Sequence, residues 1–408
     1  MNYLKSFIFT LLFVWILVGG TPYVVMVSFD GFRYDYADRT DTPNFDYLRD
    51  HGAKAESMQP VFPSKTFPNH YSLATGAYTQ THMLTGNSFY DKIFKERYSI
   101  SDRQTVQNPK WYQAEPIWVT AERQGVKSAS YFWVGSEAPI KGLSPSISKY
   151  YDGSVSYDAR VDSVIAWLQL PEASRPHLIM LYFDEPDHTG HGKDPESSLV
   201  DEKVRYLDSI LGSLIAGLSS LPIADELNLV VVSDHGMTPI SNDRIIPLKK
   251  HINSDRLIIE NDGPFAQIDV RFFWQRFALH HKLKNIPHLA VYPRNSIPER
   301  FHFVNRNTKD YLLVADDGWT IISEETIGGN YSISAGNHGF DPEVKNMHGI
   351  FYASGPAIRS GVTIDTFENI HVYPLVCEIL GIQPYGPAKD APEGDLDILY
   401  PILEESRR

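Results

Sequence analysis

Three apolar runs in this chain stop abruptly on acidic residues: 24–30 (VVMVSFD), 178–184 (LIMLYFD) and 229–235 (LVVVSDH). Runs this continuous suit strands buried on both faces, and the segments between them repeat apolar residues at helical spacing. Parallel α/β sheets carry their chemistry just beyond the carboxyl ends of such strands, so Asp30, Asp184 and Asp234 mark one candidate edge.

The order of signals along the chain supports that sheet. After the first strand, Thr42-Pro43 reads as an N-cap with proline at the first helical position, and the helix should run to His51 before Gly52 stops it. Ser156 can cap a helix carrying Val161, Ile165 and Leu168 on one face. Asp194-Pro195 should open a long helix whose apolar stripe is Val200, Val204, Leu207, Leu211 and Leu214. Alternating strands and helices imply a mostly parallel sheet covered on both faces. From about Thr238 to Gly336 this rhythm gives way to short strands such as 311–314 and turn signals at Asp317-Gly318 and Gly328-Gly329. That stretch reads as an α+β subdomain inserted near the catalytic face. The core returns with a strand over 349–354 and a helix over 370–380.

Residues 1–20 read as a signal peptide: Lys5 precedes the apolar stretch 7–18, and Val18-Gly19-Gly20 supplies small residues for cleavage. Retention as a membrane anchor is the alternative. Residues 21–408 then form a single catalytic domain outside the cytoplasm, periplasmic or extracellular, with no later membrane span. The chain has 50 Asp and Glu against 37 Lys and Arg, a net charge of −13, and no basic block, which argues against a nucleic-acid footprint. Its single cysteine, Cys377, excludes an intramolecular disulfide and any cysteine-rich zinc site.

Several short segments carry candidate chemistry. Asp234-His235-Gly236 places a carboxylate and an imidazole at a strand end, although alone it is an ordinary turn signature. Asp187 and His191 stand four residues apart in a polar segment where Gly190 would permit a tight turn; His188 between them is assigned no role. His338, in Asn337-His338-Gly339, is the weakest signal alone. Together with Asp30 these residues make a nitrogen and oxygen ligand set without thiolate, suited to two zinc-like ions in a hydrolytic site. Manganese or iron would fit the same ligand types. Thr66, just before a helix expected over 68–74, is a hydroxyl facing the partial positive charge and free amides of a helix N-terminus. The competing reading is that Thr66 or Ser64 merely caps that helix. Lys65 and His70 are further acid–base candidates with no partner identifiable in the sequence.

The segments 28–33 (SFDGFR), 63–71 (PSKTFPNHY), 86–91 (GNSFYD), 115–120 (EPIWVT), 184–191 (DEPDHTGH), 233–237 (SDHGM) and 337–341 (NHGFD) together resemble the nucleotide pyrophosphatase/phosphodiesterase family of the alkaline phosphatase superfamily. The matches are collinear from about Val24 to Leu380. The resemblance implies an alkaline-phosphatase-like α/β/α sandwich and two zinc ions. By motif, Asp30, Thr66, Asp234 and His235 would hold the ion that activates the nucleophile, and Asp187, His191 and His338 the one that activates water. Asn87 would join the Thr66 backbone amide in binding a non-bridging phosphate oxygen. The reaction implied is attack by Thr66 on phosphorus, a phospho-threonine intermediate and net retention after hydrolysis. An uncharged Asn87 suits a diester better than a dianionic monoester.

Phe67 and Tyr151 match positions where nucleotide-cleaving members of the family sandwich the base, and residues 133–154 resemble a loop those members keep. Flat aromatic faces tolerate different bases. The expected substrates are therefore nucleotides such as ATP, dinucleotide polyphosphates and nucleotide sugars, cleaved to nucleoside 5′-monophosphates. The alternatives are a phospholipid- or choline-phosphodiester hydrolase of the same family, or a catalytically silent metal-stabilised binding protein. Roles of the cysteine-rich and nuclease-like domains of larger relatives are not carried over.

Overall fold

A computed structural model describes residues 21–253, 257–323, 333–386 and 391–405. The expected signal peptide over 1–20 and the Gly328-Gly329 turn lie outside them. The apolar runs form the centre of an eight-stranded sheet in the order Val362–Ile364, Ala53–Ala55, Phe351–Ser354, Leu227–Val232, Tyr23–Phe29, Leu178–Phe183, Ser128–Tyr131, Ile147–Lys149. Only Phe351–Ser354 opposes its neighbours; every other pairing in this sheet is parallel. Phe29 pairs with Phe183, and Ser28 with Val232. Continuing that register brings Asp30, Asp184 and Asp234 level with one another past the carboxyl edge.

The sheet is buried on both faces because alternate residues of each central strand enter different cores. Val24, Met26, Leu178, Met180, Val230 and Val232 pack with the helices Thr66–Thr75, Ile117–Arg123 and Val372–Leu380. Val25, Val27, Ile179, Leu181, Leu229 and Val231 pack with Pro43–His51, Tyr157–Leu168 and Ser198–Ser219. The result is an α/β/α sandwich. An α+β subdomain lies between Leu227–Val232 and Phe351–Ser354 in the chain. Its four-stranded antiparallel sheet runs Leu257–Glu260, Phe265–Val270, Tyr311–Ala315, Leu289–Pro293, with the helix Gln275–Leu283 and a separate core around Ile268, Leu283 and Leu313. No helix among the described residues is long and apolar enough to cross a membrane.

Two helix N-termini in one layer depart from the sequence reading. Thr42 sits at the N-cap of Pro43–His51, but its hydroxyl donates to the Ala37 carbonyl instead. The free amides of Asn44 and Phe45 donate to Asp208 Oδ1, 3.0 Å from each, so a carboxylate from the neighbouring long helix does the capping. The long helix itself begins at Ser198 rather than at Asp194-Pro195, because residues 194–197 form a turn with Ser197 N–H donating to the Asp194 carbonyl. Asp208 also accepts from Asn44 Nδ2 at 2.8 Å, so it joins two helices of one layer. Asp208→Ala should leave several buried donors without a partner and destabilise the fold by roughly 1–3 kcal/mol, read as a lowered thermal unfolding midpoint; an unchanged midpoint would remove this cap from the account.

Candidate active site

The site is built where the three central strands end. Gly31, with φ +67°, turns the chain away after Asp30, and a Cβ there would stand 2.8 Å from Asp187 Cβ. Only glycine allows this approach, which is locked by the Asp187 N–H donating to the Asp30 carbonyl at 3.0 Å. Two acidic residues from separate strand ends are thereby brought together.

Asp187 and His191 lie on a short helix, Asp187–Gly192, and not on a tight loop as the sequence suggested. The four-residue spacing puts both side chains on one helical face. His338 joins them, so that ligand atoms of Asp187, His191 and His338 all fall within 4.8 Å of one another. Asp187 Oδ1 is 3.5 Å from His191 Nε2 and 3.5 Å from His338 Nε2. A neighbouring group comprises Asp30, Asp187 and His235, and Asp234 converges with Asp30 and His70. His235 Nε2 stands 3.0 Å from Asp234 Oδ2, 3.5 Å from Asp30 Oδ1 and 3.3 Å from Thr66 Oγ1. His188 is exposed and takes no part.

The three histidines share one arrangement. The Nδ1 atoms of His191, His235 and His338 lie 2.8, 2.9 and 2.8 Å from the carbonyls of Gly336, Gly236 and Ser64. A carbonyl only accepts, so each Nδ1 donates and each Nε2 is left facing the carboxylates. Asp30 Oδ1, Asp187 Oδ1 and Asp234 Oδ2 are buried and receive no hydrogen bond among the described residues. Buried carboxylate oxygens without hydrogen-bond donors, facing imidazole Nε2 atoms, form a donor set that suits zinc.

Titration behaviour follows the same crowding. Burial, then the Asp234 and Asp187 carboxylates, push the Asp30 carboxyl well above the usual range. Burial acts in the same sense on Asp234, but the adjacent His235 and His70 rings override it and hold that carboxyl well below the usual range. Burial is the leading influence lowering both His191 and His338, which keeps them neutral and able to ligate.

Thr66 is the first residue of Thr66–Thr75, and the N-cap position belongs to Lys65, whose side chain makes no capping bond. Ser64 Oγ donates to the Phe340 carbonyl at 2.7 Å. Neither hydroxyl is therefore the helix cap, which removes the ordinary structural explanation for Thr66. Asn87 Oδ1 accepts the Phe67 N–H at 3.1 Å, which fixes the side-chain amide beside Thr66 with Nδ2 turned away from that bond. Phe67, Asn87 and Tyr151 line the same cavity of about 370 Å³ as Asp30, Thr66, Asp187, His191 and His338.

Two supporting residues, Tyr182 and Asn69, escaped the sequence reading, and His70, an acid–base candidate there, takes a positioning role. Tyr182 donates to Asp30 Oδ2 at 2.7 Å from within a strand that reads as core; its phenol is the one polar tip in that run. His70 has both ring nitrogens engaged, Nδ1 with the Thr66 carbonyl at 3.0 Å and Nε2 with Ser28 Oγ at 2.8 Å, so it positions the Thr66 turn. Asn69 Nδ2 donates to the Pro63 and Lys65 carbonyls and holds the same segment from inside the helix. Asp184, the third acidic strand end, faces Arg160 Nη1 at 3.2 Å and stays outside the clusters.

A mostly parallel α/β/α sandwich with carboxylate–imidazole clusters on its carboxyl edge defines an alkaline-phosphatase-like protein. The murine ectonucleotide pyrophosphatase/phosphodiesterase 5, solved as an inactive threonine-to-alanine form in complex with AMP, superposes with a TM-score of 0.87 at 32% identity, covering 94% of this chain and 100% of that one. Residues 24–341 match the type I phosphodiesterase / nucleotide pyrophosphatase family, and the chain belongs to it. Human ectonucleotide pyrophosphatase/phosphodiesterase family member 1 is 37% identical over 379 residues, covering 89% of this chain and 40% of that protein. The venom phosphodiesterase CdcPDE of Crotalus durissus collilineatus is 36% identical over 387 residues, covering 92% and 46%. The chain thus spans less than half the length of these curated relatives.

Removing the Tyr182 hydroxyl should loosen Asp30 without emptying the cavity. Tyr182→Phe is expected to weaken divalent-metal binding by roughly tenfold, measured by competition with a chromophoric chelator; an unchanged affinity would show that this hydrogen bond does not orient the carboxylate.

Proposed function

We propose that this chain hydrolyses nucleotide phosphodiester and pyrophosphate bonds, releasing nucleoside 5′-monophosphates through a covalent phospho-threonine on Thr66. The observation that carries the proposal is the position of Thr66 Oγ1, 3.3 Å from His235 Nε2 and not used as a helix cap, in the cavity lined by Asp30, Asp187, His191, His338 and the aromatic pair. Relatives named as nucleotide pyrophosphatases and phosphodiesterases, and the AMP complex of the murine protein, support the same chemistry.

Asp30, Thr66, Asp234 and His235 would hold one zinc ion, and Asp187, His191 and His338 a second. When bound, the two ions supply Lewis-acid charge that favours the Thr66 alkoxide and offsets negative charge on the phosphate. The residues do the rest. Thr66 Oγ forms a bond to phosphorus as the bond to the leaving oxygen breaks. Asn87 Nδ2 and the Thr66 N–H, a free first-turn amide, donate to a non-bridging oxygen. Water then bonds to phosphorus on the opposite side as the Oγ–P bond breaks, so two inversions leave the configuration retained. Phe67 and Tyr151 take the base between flat faces, which favours nucleotides such as ATP, dinucleotide polyphosphates and nucleotide sugars over lipid diesters and does not select one base.

Residues 21–408 are read as one catalytic domain, with about 238–336 inserted into it. Export to the periplasm or the extracellular space fits the N-terminal sequence and relatives named as ecto-enzymes and venom enzymes. The test uses a chromogenic thymidine-monophosphate ester, ATP and lysophosphatidylcholine as substrates. Wild type should prefer the nucleotides, and Thr66→Ala should lose about three orders of magnitude in kcat while keeping its circular dichroism spectrum. Preference for the lipid would overturn the substrate assignment; near-wild-type turnover by the variant would overturn the covalent route.

A further inference from the structure

The helix of the α+β subdomain is entered through a run of aromatic residues with no packing role. In 271–277 (RFFWQRF), Phe273, Trp274 and Phe277 are 74, 63 and 86% exposed, and Phe272 is 44% exposed. The helix Gln275–Leu283 buries Leu279 and Leu283 on its core side. Phe277 lies two residues before Leu279, on the side of the helix turned away from that core, and Phe273 stands exposed in the turn that precedes the helix. Phe272 and Trp274 stack at 4.7 Å, which holds a flat pair of rings at the surface rather than tucking either inward. Large side chains concentrated and exposed in this way mark a contact surface.

Charge identifies the partner. Across residues 270–298 there are five basic residues, Arg271, Arg276, Lys282, Lys284 and Arg294, and no acidic one, on a chain whose net charge is −13. Arg271, Lys282 and Lys284 are exposed and make no ion pair among the described residues. Cations and aromatics also alternate in space: Trp274 and Lys282 line one groove, and Phe277 lines another beside Arg276 and Arg294. Nearby carboxylates are already neutralised, Asp310 by Arg276 and Asp269 by Lys92.

We propose that segment 271–284 docks the protein peripherally on an anionic phospholipid bilayer. Phe273, Trp274 and Phe277 enter the region between head groups and acyl chains, while Arg271, Lys282 and Lys284 pair with lipid phosphates and carboxylates. Phenylalanine and tryptophan beside lysine and arginine is the composition that this interface selects. A second copy fits less well, since a symmetric contact would set the unpaired cations against themselves. Single-stranded nucleic acid fits less well too, because it is bound along one continuous cationic groove, whereas Trp274 and Phe277 line two separate ones. The proposal is independent of the phosphodiesterase reading, since none of these residues lines the catalytic cavity.

The test is co-sedimentation of the full chain with large unilamellar vesicles, with or without phosphatidylserine in phosphatidylcholine. The wild type should bind phosphatidylserine vesicles, less so at high salt, and an oligothymidylate should not compete. Phe273→Ser/Phe277→Ser should weaken binding by roughly tenfold or more, and Arg271→Glu/Lys282→Glu should abolish the preference for phosphatidylserine. Hydrolysis of a soluble chromogenic diester should be unchanged in both. Because the apolar stretch 7–18 could itself bind vesicles, the comparison of variant with wild type, prepared identically, is decisive. Equal binding by wild type and the phenylalanine variant, displacement by the oligonucleotide, or a dimer in light scattering that the substitutions dissolve would each overturn the proposal.

Discussion

Three carboxylates held together away from water are the constraint on which this molecule depends. Asp30 and Asp234 follow adjacent parallel strands, and Asp187 is drawn against Asp30 by a backbone hydrogen bond and by the absence of a side chain on Gly31. Buried like charges repel at low effective dielectric, and a folded chain tolerates them only when a proton or a cation intervenes. Burial and the neighbouring carboxylates push the Asp30 carboxyl upward, which favours the proton. The three histidines favour the cation, since their Nδ1 atoms are committed to carbonyls and their Nε2 atoms are left to share a cation with the same oxygens.

Other features of the fold follow from keeping that arrangement rigid. Tyr182, His70 and Asn69 form a polar layer behind the site, each tying a ligand or the Thr66 turn to the surrounding backbone. The helix Thr66–Thr75 is buried over nearly its whole length, so the hydroxyl at its start is fixed by packing as well as by hydrogen bonds. Phe67 and Tyr151 line the same cavity, and Tyr151 is anchored through its N–H to Glu137 Oε1 at 3.0 Å. Rigid placement matters because catalysis by positioning is lost with shifts of about an ångström.

The central strands and the clustered acids were legible in the sequence because continuous apolar runs encode burial on both faces, and strand ends encode the edge where ligands gather. The short outer strands Ser128–Tyr131 and Ile147–Lys149 were not, since a few residues become a strand only through the neighbour they pair with. The structure brings Asp187 and His191 together on a helix and not on the loop the sequence suggested, because the same four-residue interval is also one helical turn. Tyr182 was hidden by context, as one polar atom in a core strand, and His70 stood out in the sequence without its distant partners, since Ser28 and Asp234 lie 42 residues or more away. The exposed run 271–277 lay in plain view, but hydropathy alone cannot separate a protruding aromatic from a packed one.

Metal stoichiometry tests the central claim most directly. Elemental analysis of zinc-loaded, exhaustively dialysed protein should find two zinc ions per chain, falling to one when His191 and His338 are both replaced by alanine. A wild-type chain that retains none or only one, or a variant that still holds two, would contradict the account of the buried carboxylates.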